Sequence, residues 1–268
     1  MKHILHKYWV IFTIGWQVAI LYREELILWR IIDAIPLLAM IVLWVSVYTS
    51  GNQVGNFTLP TLLTYYVMGS LFDSIVSTHF EEEGVREVNQ GTMARFFIRP
   101  FSYQRHSLMN TLSWRLLTIM LSTIPILFFI FIFYRQLFII PSPSQLLLLI
   151  IMGVLAFCIE FMLSLAIVAG SFFFEQANSF MHLKWILTGI FSGSLLPLSL
   201  YPHWMERLSR FLPFQFGFAV PIEIYLGQTT VNQAYWSVLL AFIWVITLFI
   251  TVNWLWNRSV NKFTAVGN

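Results

Sequence analysis

EEEGVREVNQGTMARFFIRP, residues Glu81–Pro100, is the one long charged passage in a chain that otherwise reads as lipid-soluble. Glu81, Glu82, Glu83, Arg86 and Glu87 crowd around Gly84 before the chain reaches Gly91. A charged side chain at the centre of a membrane helix costs about 2.5–3.5 kcal/mol on insertion scales, so charges at this density belong in water. Within the passage, Glu81–Glu87 can begin a helix, because acidic side chains favour a helix N-terminus. Gly91 is suited to end it, since glycine takes left-handed geometry without strain. Arg95 and Arg99, at i, i+4, would share one basic face, and Pro100 would break the run before the next apolar stretch. The plain alternative is a solvated loop that merely carries arginines.

Outward from this passage the chain is apolar. Of its 268 residues 58% are hydrophobic and 10% charged, against about 25% charged in soluble domains. That excludes a large-core soluble protein and fixes the class as membrane-embedded. The aromatic share of 18% fits lipid-facing surfaces and interfacial belts. A single cysteine, Cys158, excludes an intramolecular disulfide. No basic run suits nucleic acid.

Six apolar runs are long enough to cross a bilayer, at 31–49, 60–79, 112–134, 145–174, 184–201 and 234–256. They must be helices, because open strands would leave backbone groups unpaired in lipid. The predicted fold is an all-α membrane protein: one membrane domain over 1–268 with six transmembrane helices. It has an interfacial helix within 1–30, a charged loop at 80–111 on one side, and an equally long segment at 202–233 on the other. With the N-terminus inside, twelve lysines and arginines fall on or near the cytoplasmic side and only Arg135, Arg207 and Arg210 outside, a strong positive-inside bias. Residues 8–22 are too short to span and are flanked by charge. They read as an uncleaved helix lying on the membrane, anchored by Trp9, Trp16 and Tyr22, with a seventh span as the alternative. The run HWMERLSRFLPF, inside 202–233, is amphipathic and suggests short helices dipping into the outer interface.

Motifs of chemistry are missing from the sequence. None of Lys2, Lys7, Lys184 and Lys262 follows a glycine or precedes a serine or threonine, so there is no phosphate-binding P-loop. There is no HExxH and no GxSxG, and His79, His106, His182 and His203 are scattered. Intramembrane carboxylates are the remaining candidates. Glu160, in the fourth run, either lines a path or makes a helix–helix hydrogen bond. Asp73, in the second, is a further candidate for the path. Asp33 begins the first run and reads as interfacial.

Three stretches together resemble the type-2 ATP-binding-cassette permeases. VREVNQGTMARFFIRPFS resembles the family's first inner loop, through Gly91, Phe97, Arg99 and Pro100. IFSGSLLPLSLYPHWMERLSRFLPFQFGFAVPIEIYLG resembles the family's fifth span and the Pro-Phe element after it, through Ser192, Gly193, Pro197, Pro202, Pro213, Phe214, Pro221, Leu226 and Gly227. LYREELILWR, around Tyr22 and Arg23, is similar to the connecting helix before span one. The resemblance covers nearly the whole chain.

The resemblance implies a six-span exporter subunit without an ATPase, paired with a second permease subunit, identical or not. Cytoplasmic ATP-binding-cassette ATPase subunits would bind beneath it and hold the ATP and magnesium, so this chain needs no cofactor and is not itself an enzyme. The setting implied is a bacterial cytoplasmic membrane with both termini inside. The coupling helix would fall on Glu83, Gly84, Val85, Arg86, Glu87 and Gly91, with Arg95, Arg99 and Pro100 bracing the return. The segment after span five would hold re-entrant helices. The three glutamates at 81–83 are a departure that the family pattern does not require. The alternative function is an ion- or proton-coupled carrier using Glu160 and Asp73. A membrane-embedded enzyme is the weakest reading, for want of a nucleophile, base or metal set.

Overall fold

The computed structural model describes residues 2–51, 54–55, 57–98, 101–135, 139–174 and 178–261. Among them the regular structure is helical, apart from an isolated bridge between Val54 and Phe57. In chain order the helices are α1 (Lys2–Leu21), α2 (Arg23–Thr49), α3 (Leu59–Val76), α4 (Glu81–Asn89), α5 (Ala94–Phe97), α6 (Tyr103–Thr118), α7 (Ile124–Phe133), α8 (Pro143–Gly170), α9 (Asn178–Phe191), α10 (His203–Phe211), α11 (Ala219–Tyr225) and α12 (Val231–Val260). Five stretches are long and apolar enough to cross a membrane: Arg23–Thr49, Leu59–Asn89, Tyr103–Phe133, Pro143–Gly170 and Val231–Val260.

The bundle has two ends, marked by α4 and α10. α8 is its axis. It starts from a capping box in which Ser142 and Gln145 satisfy each other's backbone N–H groups. Its lower half packs on α4, where Val168 meets Tyr103 and Trp256 in one apolar cluster. Its upper half packs on α3, α11 and α12, through Met152, Ala156, Val220 and Ala241. α12 lies along α8 in the same direction, and Ser259 Oγ donates to Ala169 O at 2.7 Å. α6 and α7 are one rod joined by a π-helical turn, Ile119–Thr123. Pro125 lies just past that turn and has no N–H for the carbonyl four residues back, which explains the extra residue in the turn.

Two expectations change. The fifth run, read as one helix over 184–201, ends at Phe191. α9 has 14 residues, about 21 Å of helix against roughly 30 Å of hydrocarbon. Gly193, at φ 88°, then turns the chain, and Ser192–Pro197 is irregular. The described residues therefore hold five helical stretches long and apolar enough to cross and one short helix, where six crossing runs are expected. The inner loop is also shorter than 80–111, because α6 already begins at Tyr103. The described part of the return is α5, Ala94–Phe97, and the basic face expected for Arg95 and Arg99 falls partly outside the described residues. Arg99 and Pro100 lie outside the described residues.

The N-terminal helix is present and docks on the protein. α1 runs beside α6 in the same direction: Arg105 Nη1 donates to Tyr8 Oη at 3.3 Å, and Gly15 and Ala19 are buried. A Cβ at Gly15 would lie 2.4 Å from Ser113 Oγ, so the small residue sets the approach of the two helices. Trp9 and Tyr22, two of the expected anchors, are exposed.

Candidate functional site

α4 forms where the glutamates predict it. Glu81, Glu82 and Glu83 fill its first turn, where the helix dipole favours negative charge. Gln90 caps it and Gly91 follows at φ 72°, the left-handed residue expected there. The helix is strongly two-faced. Glu81, Gly84, Val85, Glu87 and Val88 are buried, while Glu82, Glu83, Arg86, Asn89 and Gln90 are exposed. Of the residues expected to face a partner, Glu83 and Arg86 are exposed. Gly84, Val85 and Glu87 face inward and hold the helix in place. Glu82 belongs with the outward set, and only the register of the folded helix reveals it.

The inward face is locked by shape and charge. A Cβ at Gly84 would lie 2.4 Å from Tyr103 Oη and 2.6 Å from Val168 Cγ2, so α4 packs backbone-close against α6 and α8. Gly84→Val is expected to cost about 1–3 kcal/mol by overpacking, read as a lower unfolding midpoint in detergent. An equal stability for the variant would show the contact to be slack. Glu87 pairs with Arg95 across the turn, and Met93 N donates to Glu87 O at 3.1 Å. Arg95 also lies over the Phe96 ring, 5.0 Å from its centroid. Glu87 and Arg95 thus brace the return of the chain instead of offering two free charges.

Above α4 is a buried charge cluster. Lys184 Nζ, on α9, donates to Ser164 Oγ at 2.7 Å, Glu81 Oε1 at 3.1 Å and Thr78 O at 3.1 Å. Glu160 Oε2 is 3.3 Å from the same nitrogen. Lys184, Glu81 and Glu160 are each less than a tenth exposed. The sequence placed Glu160 correctly as a buried carboxylate in a helix. It gave no partner, because Lys184 stands at the head of an apolar run and reads there as an ordinary inner-side charge.

Asp73 is apart from this cluster. It is half-buried near the end of α3, with its own backbone O accepting from Ser77 N. Its carboxylate has no hydrogen bond or ion pair among the described residues and interacts at longer range with Glu160, Arg115, Asp33 and Arg30. Arg115 Nη1 donates to Ser74 O at 3.0 Å, and Asp33 pairs with Arg30 at 3.3 Å on α2.

At the opposite end, the connection from α9 to α12 is folded inward. Nearly every residue from Pro213 to Tyr225 is buried. Arg210, on α10, grips Glu223, on α11, with two bonds of 2.6 and 2.7 Å. Tyr65 and Tyr66 of α3 donate to Gly193 O and Leu195 O. Ala219 N donates to Ser192 O at 3.0 Å.

These observations define a multi-pass helical membrane protein with a braced amphipathic helix at one end and a compact set of short helices at the other. The family model described as ABC-2 family transporter protein matches residues 34–267, and the chain belongs to that family. It is a transmembrane permease of the ATP-binding-cassette transporters. Comparison with curated proteins and with solved structures returned no match.

Proposed function

We propose that this chain is the permease half of an ATP-driven exporter and that α4 is its docking element for a cytoplasmic cassette ATPase. The observation that carries the reading is the geometry of α4. It exposes Glu82, Glu83, Arg86, Asn89 and Gln90 on one side while its other side is held by the Glu81–Lys184 and Glu87–Arg95 pairs. A helix free to roll could not pass a push onward, and this one is fixed to α8 and α9. Family membership supports a separate ATPase, which would hold the ATP and magnesium. It also supports pairing with a second permease subunit, identical or related.

In this reading the α4 end faces the cytoplasm of a bacterial cell, as the charge bias predicts, and both termini lie there. ATP binding by the partner displaces α4, and the spans tilt in response. Such a switch requires the ATPase to bind the two arrangements with different affinity. The α10–α11 segment enters the outer half of the membrane from the far side and covers the exit. The pairing of Glu160 with Lys184 supports a bracing role for that carboxylate over a proton-carrying one.

The test is charge reversal on the exposed face: Glu82→Lys, Glu83→Lys and Arg86→Glu together. These side chains leave the core untouched, so the chain should fold as before. The ATPase that copurifies with the parent chain is expected to bind at least tenfold more weakly, about 1.4 kcal/mol. Unchanged binding and unchanged ATP hydrolysis by the complex would reject α4 as the docking element.

A further inference from the structure

The cluster around Lys184 takes no part in the exposed docking face, yet it joins three elements that the chain brings together from far apart. Glu81 is the first residue of α4, Lys184 lies within α9, and Ser164 and Glu160 lie on α8. Thr78, in the link between α3 and α4, contributes its carbonyl to Lys184 and shares a 2.8 Å hydrogen bond with Ser164. We infer that Lys184 is a positioning residue that makes α4, the lower part of α8 and α9 one rigid body. The inference rests on the reading of α4 as the docking helix only for what displaces that body.

Three observations support the clamp. The ammonium has three protons to donate, and Ser164, Glu81 and Thr78 accept from it on separate elements. A pair removed from water interacts more strongly and is screened less than one at the surface. Here Lys184 is 7% exposed, Glu81 1% and Glu160 6%. The apolar packing of α9 is also incomplete beside the cluster. An open groove of about 300 Å³, which Lys184 also lines, lies between Leu163, Ala166 and Gly170 of α8 and Phe180, Leu183 and Leu187 of α9. Below it Val85 of α4 packs against Met181 of α9, with Ile167 of α8 against both. The polar tie and this small apolar cluster together join α9 to α4 and α8.

A displacement of α4 therefore carries α9 with it, and α9 leads directly into Ser192–Gly193 and the short helices at the far end. The cluster is in this way the first link between the two ends of the molecule.

Electron–electron distance measurement tests the clamp. In a Cys158→Ser background, Asn89→Cys on α4 and Ile186→Cys on α9 place spin labels at exposed positions. In the full chain bound to its copurifying ATPase, the distance distribution is expected to be narrow and to keep the same mean between nucleotide-free and ATP-bound states. In Glu81→Gln/Glu160→Gln/Lys184→Met, where no buried charge is left unpaired, the distribution is expected to widen at least twofold, and Lys184→Arg should restore part of the narrow form. A nucleotide-dependent shift in the parent, or an equally narrow distribution in the triple variant, overturns the inference. The parent measurement does not depend on any cluster variant folding. The same width comparison on the chain without an ATPase tests the clamp even where the docking reading fails, which separates the two outcomes.

Discussion

Arg210→Met is expected to destabilise the protein by about 3 kcal/mol, toward the lower end of the 3–5 kcal/mol typical for breaking a buried pair. The loss comes from what is left behind. Glu223 is 8% exposed and its two carboxylate oxygens are satisfied by the guanidinium fork at 2.6 and 2.7 Å. Without the fork a buried carboxylate must stay charged and unpaired or take up a proton. Arg210 itself is about one-third exposed, 34% at the side chain, which places the expectation at the low end. The same substitution leaves Gln215 bonded to the Arg210 backbone oxygen, so the local chain path is retained and the effect isolates the charge pair. A paired substitution, Arg210→Met with Glu223→Leu, should recover most of the loss, because no unpaired charge remains. Glu206→Ala is the control: its 3.9 Å contact with Arg210 is a surface i, i+4 pair, worth no more than about 0.5 kcal/mol. Chemical unfolding in detergent micelles, followed by tryptophan fluorescence, reads all three. A single-variant loss under about 1 kcal/mol would mean that the fork does not hold α10 to α11. Against a typical stability of about 5–15 kcal/mol, the expected loss is a large fraction of the whole.

The long helices were legible because lipid imposes a simple rule. A run near twenty apolar residues must be a helix; α2 and α12 cover their predicted runs, and α3 and α8 fill theirs except for the last few residues. α4 was legible for a different reason. Three glutamates at one end and Gly91 at the other are local signals, and local signals act on the same few residues that carry them. α2 extends further back than its apolar run, to Arg23, because Glu24 and Glu25 make a favourable first turn there.

What was not legible depends on contacts far apart in sequence. Lys184 and Glu81 are 103 positions apart, and nothing in either neighbourhood names the other. The break after Phe191 was hidden because Leu195, Leu196, Leu198 and Leu200 keep the hydropathy high past Gly193. Hydropathy measures preference for lipid and says nothing of whether the backbone stays helical. The buried state of Pro213–Tyr225 was hidden in the same way. Arg210 reads from the sequence only as an outer-side charge, and nothing near it names Glu223 as its partner until the fold pairs them. The two faces of α4 show the limit from the other side. Composition marked the segment as polar, but Glu82 and Glu87 differ in role only because one points outward and the other toward Arg95.

Gly193→Val is expected to cost about 2–5 kcal/mol, the sum of two separate penalties. The backbone there sits at φ 88°, where a side chain costs about 1–2 kcal/mol and a β-branched one fits least well. The added atoms then collide with the core. A Cβ would stand 2.7 Å from Tyr65 Oη and 2.8 Å from Ala219 Cβ, an overpacking that costs about 1–3 kcal/mol. Neither neighbour can give way freely. Tyr65 is fully buried and donates to Gly193 O at 2.8 Å, and Ala219 is held by its N–H bond to Ser192 O. The strain therefore falls on the junction between α9 and α11, and α11 carries Glu223. Gly189, one turn earlier in α9, supplies the contrast: nothing lies within 4 Å of its Cβ position. Gly189→Ala should be neutral or stabilise by about 0.5–1 kcal/mol, because alanine fixes a helix better than glycine. Unfolding midpoints give the first comparison. Trypsin gives the second, since cleavage after Arg207 and Arg210 should accelerate at least tenfold in Gly193→Val as the short helices come loose, and should not change in Gly189→Ala. Equal midpoints and equal cleavage rates for the two variants would mean that the turn at Gly193 does not anchor the far end. In that case the Tyr65 and Tyr66 hydroxyls, which reach the same stretch from α3, would have to hold it by themselves.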